Sequence, residues 1–358
     1  MGGERISDIS DAHFADKLVA QVLSKQSHLV VGLDPRLDLL PAHLVDRFQK
    51  EYGPTQQAAA MAILEFNLGM IDAVADLVPA VKPQMAFYEE YGPAGMEVLG
   101  QTVRYAQQKG LIVILDGKRN DIGSTAEAYA RAYLGRGFVG ENGAAQARGV
   151  DAITVNPYLG EDGVKPFISY GPEKGIFVLV KTSNPSSGQL QDLLVMPGEQ
   201  DVPVVQEEPS EPSGPAIPLY EVVASLVDQW GRDQVGKSGY SSVGAVVGAT
   251  YPEVARRLRA LMPRAYFLVP GFGAQGATTE DAAAAFNEDG MGALVNVSRA
   301  VIYAFRNDPG YRATAHSSAD RNSTDRSSSE ADFAAVARGA VLEINRQINQ
   351  EVDKKRGK

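Results

Sequence analysis

The sequence predicts an α/β protein whose parallel strands close into a (β/α)8 barrel, with an extra helix at each end of the chain. Three observations predict it. Short aliphatic runs alternate with segments of helical periodicity along most of the 358 residues, which implies parallel pairing through right-handed crossovers. The alternation amounts to eight strand–helix units, the number that closes a barrel. Most runs also end in polar residues, and such folds carry their chemistry at the carboxyl ends of the strands. An open, doubly wound sheet is the alternative, because a strand count from one sequence is easily off by one.

The elements follow in order. Residues 11–24 (DAHFADKLVAQVLS) place Phe14, Leu18, Val19 and Val22 at helical spacing ahead of the first strand. His28 to Leu33 (HLVVGL) reads as that strand, and Pro35 stops it by disfavouring helix at Asp34. A helical pattern covers Ala58 to Val78. Ala80 to Gln84 (AVKPQ) is the second strand, followed by helix from about Pro93 to Lys109. The third and central unit is LIVILDGKRNDIGSTAEAYA: an aliphatic run from Leu111 to Leu115, continuing through Lys118, then helix from Ser124 to Leu134. Asp151 to Asn156 (DAITVN) ends at Pro157, with a short helix near Gly163 to Ser169. Ile176 to Thr182 (IFVLVKT) leads to Ser183-Asn184-Pro185, and its helix runs later, from Leu219 to Trp230. Val243 to Ala249 precedes a helix opened by Pro252, a favourable first-turn position for proline. Tyr266 to Val269 enters the glycine-rich PGFGAQG, and Ala293 to Val297 enters SRAVIYAF. The expected architecture is one TIM barrel domain over residues 1–358.

Two stretches break the rhythm. Residues 196–218 carry six prolines and five acids and no basic residue, the composition of an extended or disordered insertion. Residues 309–330 are rich in Ser, Thr, Arg and Asp and read as a flexible connector. A last helix, from about Asp332 to Val352, offers Phe333, Val336, Val341 and Ile344 for packing against the barrel.

Composition narrows the function. A hydrophobic content of 44% suits a globular core. The net charge of −10 and pI of about 5.0 argue against a nucleic-acid or membrane-surface partner, which need basic patches. There is no cysteine, so disulfides, thiolate metal sites and cysteine nucleophiles are excluded. The four histidines (His13, His28, His43, His316) show no zinc-ligand spacing. The apolar runs are too short to span a bilayer, and MGGERISD does not resemble a secretory signal, so a cytoplasmic protein is expected.

At the carboxyl ends of the strands stand Asp34, Lys82, Asp116, Lys118, Asp121, Asn156, Ser183, Gln275 and Arg299, which the barrel should gather on one rim. Alternation puts Asp116 and Lys118 on the same face of their strand. The PGFGAQG loop lets backbone approach an anion, and Arg299 on the next unit adds a forked cationic donor, which points to a phosphorylated ligand. No Walker A pattern is present. Asp34, Asp116 and Asp121 could hold magnesium, but Lys82 and Lys118 compete for the same carboxylates, so no metal is expected.

Eight motifs in order carry a resemblance: VGLDPR, VKPQMAFYE, LDGKRNDIGSTA, VNPYLG, VLVKTSNP, VVGATYPE, LVPGFGAQG and VNVSRAVIYA. Together they resemble the orotidine 5′-phosphate decarboxylase family, in its longer bacterial (type 2) subgroup. The resemblance implies decarboxylation of orotidine 5′-phosphate to UMP and CO2, the last step of de novo UMP synthesis, with no cofactor. It assigns Lys118 to protonation of the carbanion at pyrimidine C6, Asp116 to the departing carboxylate, and Lys82 and Asp121 to the rest of a Lys–Asp–Lys–Asp array. It implies a homodimer with shared active sites, in which Asp121, Ile122 and Thr125 come from the partner subunit. It gives Asp34 to the ribose hydroxyls, Ser183 to the pyrimidine amide, and Gln275 and Arg299 to the phosphate, with Gly273 in the closing loop. Gly117 and Asn120 depart from the subgroup, which more often has Ala and Gly there. The short motif DxKxxD is shared with magnesium-dependent sugar-phosphate decarboxylases and synthases of the same superfamily, which remain an alternative. A catalytically silent UMP-binding protein is another.

Overall fold

Eight parallel strands close on themselves in the computed structural model, which describes residues 12–135, 149–196, 215–271, 276, 278–311 and 332–357. The first half of the barrel is β1 (Leu29–Leu33), β2 (Ala80–Pro83), β3 (Ile112–Arg119), β4 (Ala152–Val155) and β5 (Gly175–Lys181). A short antiparallel pair, β6 (Leu194–Val195) and β7 (Ile217–Pro218), stands outside the barrel. The barrel resumes with β8 (Ser241–Val247), β9 (Ala265–Val269) and β10 (Ala293–Val297). β1 pairs with both β2 and β10, so the sheet has no free edge. Closure rules out the open-sheet alternative.

Strand alternation divides the core in two. Val30, Ala80, Ile112, Ile114, Ala152, Phe177, Tyr266, Leu268 and Leu294 fill the barrel interior. Their neighbours Leu29, Val31, Val81, Val113, Ile153, Val178, Phe267 and Val295 face the helical layer. The helix α1 (Phe14–Lys25) closes the amino-terminal mouth, with Phe14, Leu18 and Val22 joining the interior cluster. The Phe14 ring meets Phe177 edge-on at 6.2 Å. A Cβ on Gly175 would lie 2.3 Å from that ring, so this strand start must be glycine.

The outer layer includes α2 (Ala42–Tyr52), which the sequence pattern left out, and α3 (Gln56–Val74). By length and composition α3 could cross a membrane. Its apolar length instead reflects burial, since Ala60, Phe66, Met70, Ile71 and Val74 are inaccessible to solvent. It packs against α2, against α5 (Gly92–Gln108), which follows the single turn of α4 (Ala86–Glu89), and against the carboxyl-terminal helix Phe333–Lys355. That last helix buries Val341, Ile344, Ile348 and Val352 at helical spacing. Asn345 ties it to the barrel base, donating to Leu77 O at 3.0 Å and accepting from Ser27 Oγ at 2.7 Å.

The remaining helices follow their strands: α6 (Gly123–Tyr133), α7 (Glu161–Ile168), α8 (Gly188–Gln191), α9 (Leu219–Gly231), α10 (Pro252–Leu261), α11 (Thr279–Ala283) and α12 (Arg299–Ile302). The acidic, proline-rich stretch at 196–218 is not wholly irregular: its last residues form β7, which pairs with β6 immediately before it. Residues 197–214 and 312–331, the bulk of the two irregular stretches, lie outside the described residues.

Candidate active site

The alternation that fills the barrel with aliphatic side chains also builds its top layer. Two residues beyond interior positions Ala80, Ile114, Ala152, Phe177 and Leu294 come Lys82, Asp116, Thr154, Leu179 and Asn296, all lining one cavity of about 350 Å³. That volume lies in the range of small-molecule sites. Val246 and Leu268 complete an apolar wall with Leu179, opposite the charged arc from Lys82 to Thr154. Asp34 and Ser298 close the ring beside Arg299. Gly32 makes that closure possible, because a Cβ there would lie 1.9 Å from Ser298 Oγ.

At the centre, Asp116 lies between two ammonium groups. Lys82 Nζ donates to Asp116 Oδ2 at 2.9 Å, and Lys118 Nζ donates to Oδ1 at 2.6 Å. Gln84 Nε2 also donates to Oδ2, at 2.9 Å. Burial by itself would raise the Asp116 carboxyl, but the charges of Lys82 and Lys118 outweigh it and hold the group well below the usual carboxylate range. Burial alone would likewise lower Lys82, and the Asp116 and Asp34 carboxylates turn that into a net rise. Both groups are therefore ionised at neutral pH. The Lys118 side chain is 46% exposed against 5% for Lys82, so Lys118 is the ammonium that can meet a ligand.

The Lys118 backbone is unusual, with φ of +45°, a left-handed conformation that disfavours a side-chain-bearing residue. The β3–β4 register explains it. Leu115 pairs with Ile153, and the next pair is Arg119 with Val155, so Asp116, Gly117 and Lys118 bulge opposite Thr154. The bulge is held from outside by Arg119, whose Nη1 donates to Gly117 O at 3.1 Å while its guanidinium pairs with Glu89 and stacks on Tyr129 and Tyr133.

Several expected residues meet as the sequence suggested. Asp34, Lys82, Asp116, Lys118, Ser183 and Arg299 line the one cavity. Asp34 Oδ1 and Asn296 Oδ1 are buried there without a partner among the described residues. The Ser183 loop is clamped by α8: Thr182 N–H donates to Gln191 Oε1 at 3.0 Å, and Gln191 Nε2 donates to Thr182 Oγ1 at 2.8 Å.

Others are placed elsewhere. Asp121, Ile122 and Thr125 do not line this chain's cavity. Ile122 is 53% exposed, and Asp121 Oδ1 accepts the Ile122 N–H at 2.8 Å. The expectation that Asn156 faces the pocket is corrected, because beyond the end of β4 its Oδ1 accepts the Tyr158 N–H at 3.0 Å instead. Thr154 takes β4's place in the pocket. Gln275 and Gly273 lie outside the described residues. Sequence reasoning missed Gln84, Thr154 and Asn296, although strand parity with Lys82, Ala152 and Leu294 was a usable signal for all three.

Comparisons with known proteins find relatives over most of the chain. Residues 27–314 match the model of the family described as Orotidine 5′-phosphate decarboxylase / HUMPS. The chain is 43% identical over 337 residues to a Rhodopirellula baltica protein named orotidine 5′-phosphate decarboxylase, covering 94% of this chain and 98% of that one. A protein of the same name from Caldicellulosiruptor bescii is 43% identical over 298 residues, covering 82% of this chain and 91% of the other. Among solved structures, Leishmania donovani OMP decarboxylase is 30% identical with a TM-score of 0.63, covering 95% of this chain and 99% of that one.

Proposed function

The chain belongs to the orotidine 5′-phosphate decarboxylase family, and from that premise we propose how its own residues do the work. The enzyme is a carboxy-lyase that converts orotidine 5′-phosphate to UMP and CO2 in pyrimidine biosynthesis. In the proposed mechanism the bond from C6 to the carboxylate breaks heterolytically, CO2 leaves, and the electron pair stays on C6. The Lys118 ammonium lies beside that carbon, stabilises the developing charge and then delivers its proton there. Asp116 orients Lys118 and faces the departing carboxylate. Lys82 keeps Asp116 ionised within the protein.

The single observation that carries this reading is the Lys82–Asp116–Lys118 array, with Lys118 alone accessible, in a cavity that also holds Arg299. Arg299 and Gln275 take the phosphate, Gly273 belongs to the loop over it, Asp34 takes the ribose hydroxyls and Ser183 the pyrimidine amide. Such remote contacts supply binding energy used at the reacting carbon. Asp121, Ile122 and Thr125 serve the partner's site in a homodimer. Ile122 and Thr125 are exposed and Asp121 is half-buried, just past the strand end that carries Lys118, which supports that reading. No metal or cofactor enters the scheme. We read residues 1–358 as one such domain, working in the cytoplasm.

Lys118→Ala should lower kcat by at least roughly 10²–10⁴-fold, the usual share of a positioned proton donor. Near-normal turnover of that variant would reject the mechanism. Mixing Lys118→Ala with Asp121→Ala should restore activity if each site draws on both subunits; heterodimers that stay inactive would reject sharing. Full turnover of the nucleotide in excess chelator separates this chemistry from that of magnesium-dependent sugar-phosphate relatives. UMP binding without CO2 release would instead mark a silent binder.

A further inference from the structure

We infer that Thr154 is a positioning residue that sets both Lys118 and Asp116 through one oxygen atom. The inference rests on the reading that those two residues carry the chemistry.

Three residues of β3 stand opposite Thr154 where a regular parallel ladder would place one. The excess chain must go somewhere, and its backbone groups need partners inside the barrel. Lys118 N–H finds one in Thr154 Oγ1, at 2.9 Å. The same hydroxyl donates its proton to Asp116 Oδ1, also at 2.9 Å. That carboxylate oxygen is the one Lys118 Nζ reaches at 2.6 Å. Thr154, Asp116 and Lys118 thus form a closed loop of contacts: backbone to hydroxyl, hydroxyl to carboxylate, carboxylate to ammonium.

A hydroxyl is the neutral side-chain group that can accept and donate through a single atom. Thr154 is 1% exposed, so water does not compete for either bond. Its acceptor role fixes the left-handed backbone at Lys118, a conformation a lysine does not favour by itself. Its donor role turns Asp116 so that Oδ1 serves Lys118 while Oδ2 serves Lys82 and Gln84. Valine has the same shape and neither function. In Thr154→Val, Lys118 N–H would lose its acceptor and the bulge could relax, moving the ammonium away from its aligned position.

The residues assigned above to ground-state binding, Arg299, Ser183 and Asp34, follow other strands. Misplacing Lys118 should therefore reduce kcat and spare binding. A displacement of about 1 Å at a reacting group can cost roughly 10²-fold. Thr154→Val is expected to lower kcat about 10–100-fold, with KM for orotidine 5′-phosphate and Kd for UMP within about threefold of wild type. Thr154→Ser, which keeps the hydroxyl, should recover most of kcat.

The test is steady-state kinetics and UMP titration on wild type, Thr154→Val, Thr154→Ala, Thr154→Ser and Lys118→Ala. An unchanged kcat in Thr154→Val overturns the inference. So does a parallel loss of kcat and UMP binding in both Val and Ala variants, since that marks a general structural role. Failure of Ser to restore turnover overturns it as well. If Thr154→Val does not fold, Ala against Ser gives the same comparison. An active Lys118→Ala would instead reject the underlying mechanism, whatever Thr154 does.

Discussion

Replacing Asp116 with asparagine keeps the shape of the site and removes the charge that two ammoniums share. Asp116 accepts from Lys82, Gln84, Lys118 and Thr154 at 2.6–2.9 Å. Lys118 can turn to solvent once the carboxylate is gone. Lys82 cannot, because it is 4% exposed and only the Asp34 charge remains to compensate it. Removing one member of a buried pair costs about 3–5 kcal/mol. With an unfolding entropy of about 2.1 cal/mol/K per residue, scaled to this chain length, Tm should fall by about 4–7 °C at pH 7. The pH dependence is the sharper test. In the wild type, Lys82 is raised above 10.5, so its contribution is complete below that value and lost as pH climbs through the folded pKa. Asp116 is lowered below 3.8, so its contribution is complete above that value and lost as pH falls through the folded pKa. In Asp116→Asn, burial dominates and brings Lys82 below 10.5. The unfolded state then binds the proton more tightly, and the variant gains stability as pH rises towards 10.5. Thermal unfolding at pH 7 and pH 10 measures both effects: the deficit should narrow at the higher pH. A Tm within 1 °C of wild type at pH 7, or a deficit unchanged at pH 10, would refute the electrostatic account.

Gly117 is not required by its surroundings. Its φ is not positive, and a Cβ there would meet Ile153, Arg119 and Met85 at 3.4–3.6 Å, ordinary contact distances. Gly117→Ala should therefore gain about 0.4–1 kcal/mol in urea unfolding and keep kcat within about twofold; a large loss of activity would show that the bulge needs glycine. Gln191 makes two hydrogen bonds to Thr182 beside Ser183. Gln191→Leu should raise KM for the nucleotide about 10-fold, as loss of roughly 1–1.5 kcal/mol implies, while kcat changes less; an unchanged KM would show that α8 does not hold the loop.

Much of the fold was legible because its signals are local. Runs such as IVIL in β3 and ALVN in β10 are long enough to announce buried strands, and Pro157 and Pro252 mark where strands end and helices begin. The polar residues that line the pocket lie at the ends of those runs, so Asp34, Lys82, Asp116 and Arg299 could be named in advance. The helix Ala42–Tyr52 carries a weak local signal, its apolar stripe being only Leu44, Val45 and Phe48. Asn156 departs from the strand pattern because β4 ends at Val155 and the asparagine side chain closes a local turn with Tyr158.

The sequence by itself determined the period-two alternation, and with it which side chains share a face. It thereby determined the eight βα units and most of the charged rim. Only the tertiary structure decided that the sheet closes, that Lys118 adopts a left-handed backbone, and that Thr154, 36 positions further along the chain, holds it there. The physical reason is range: alternation follows from bonds between neighbouring residues, whereas a bulge and its partner depend on the register of two strands, fixed only when the barrel packs.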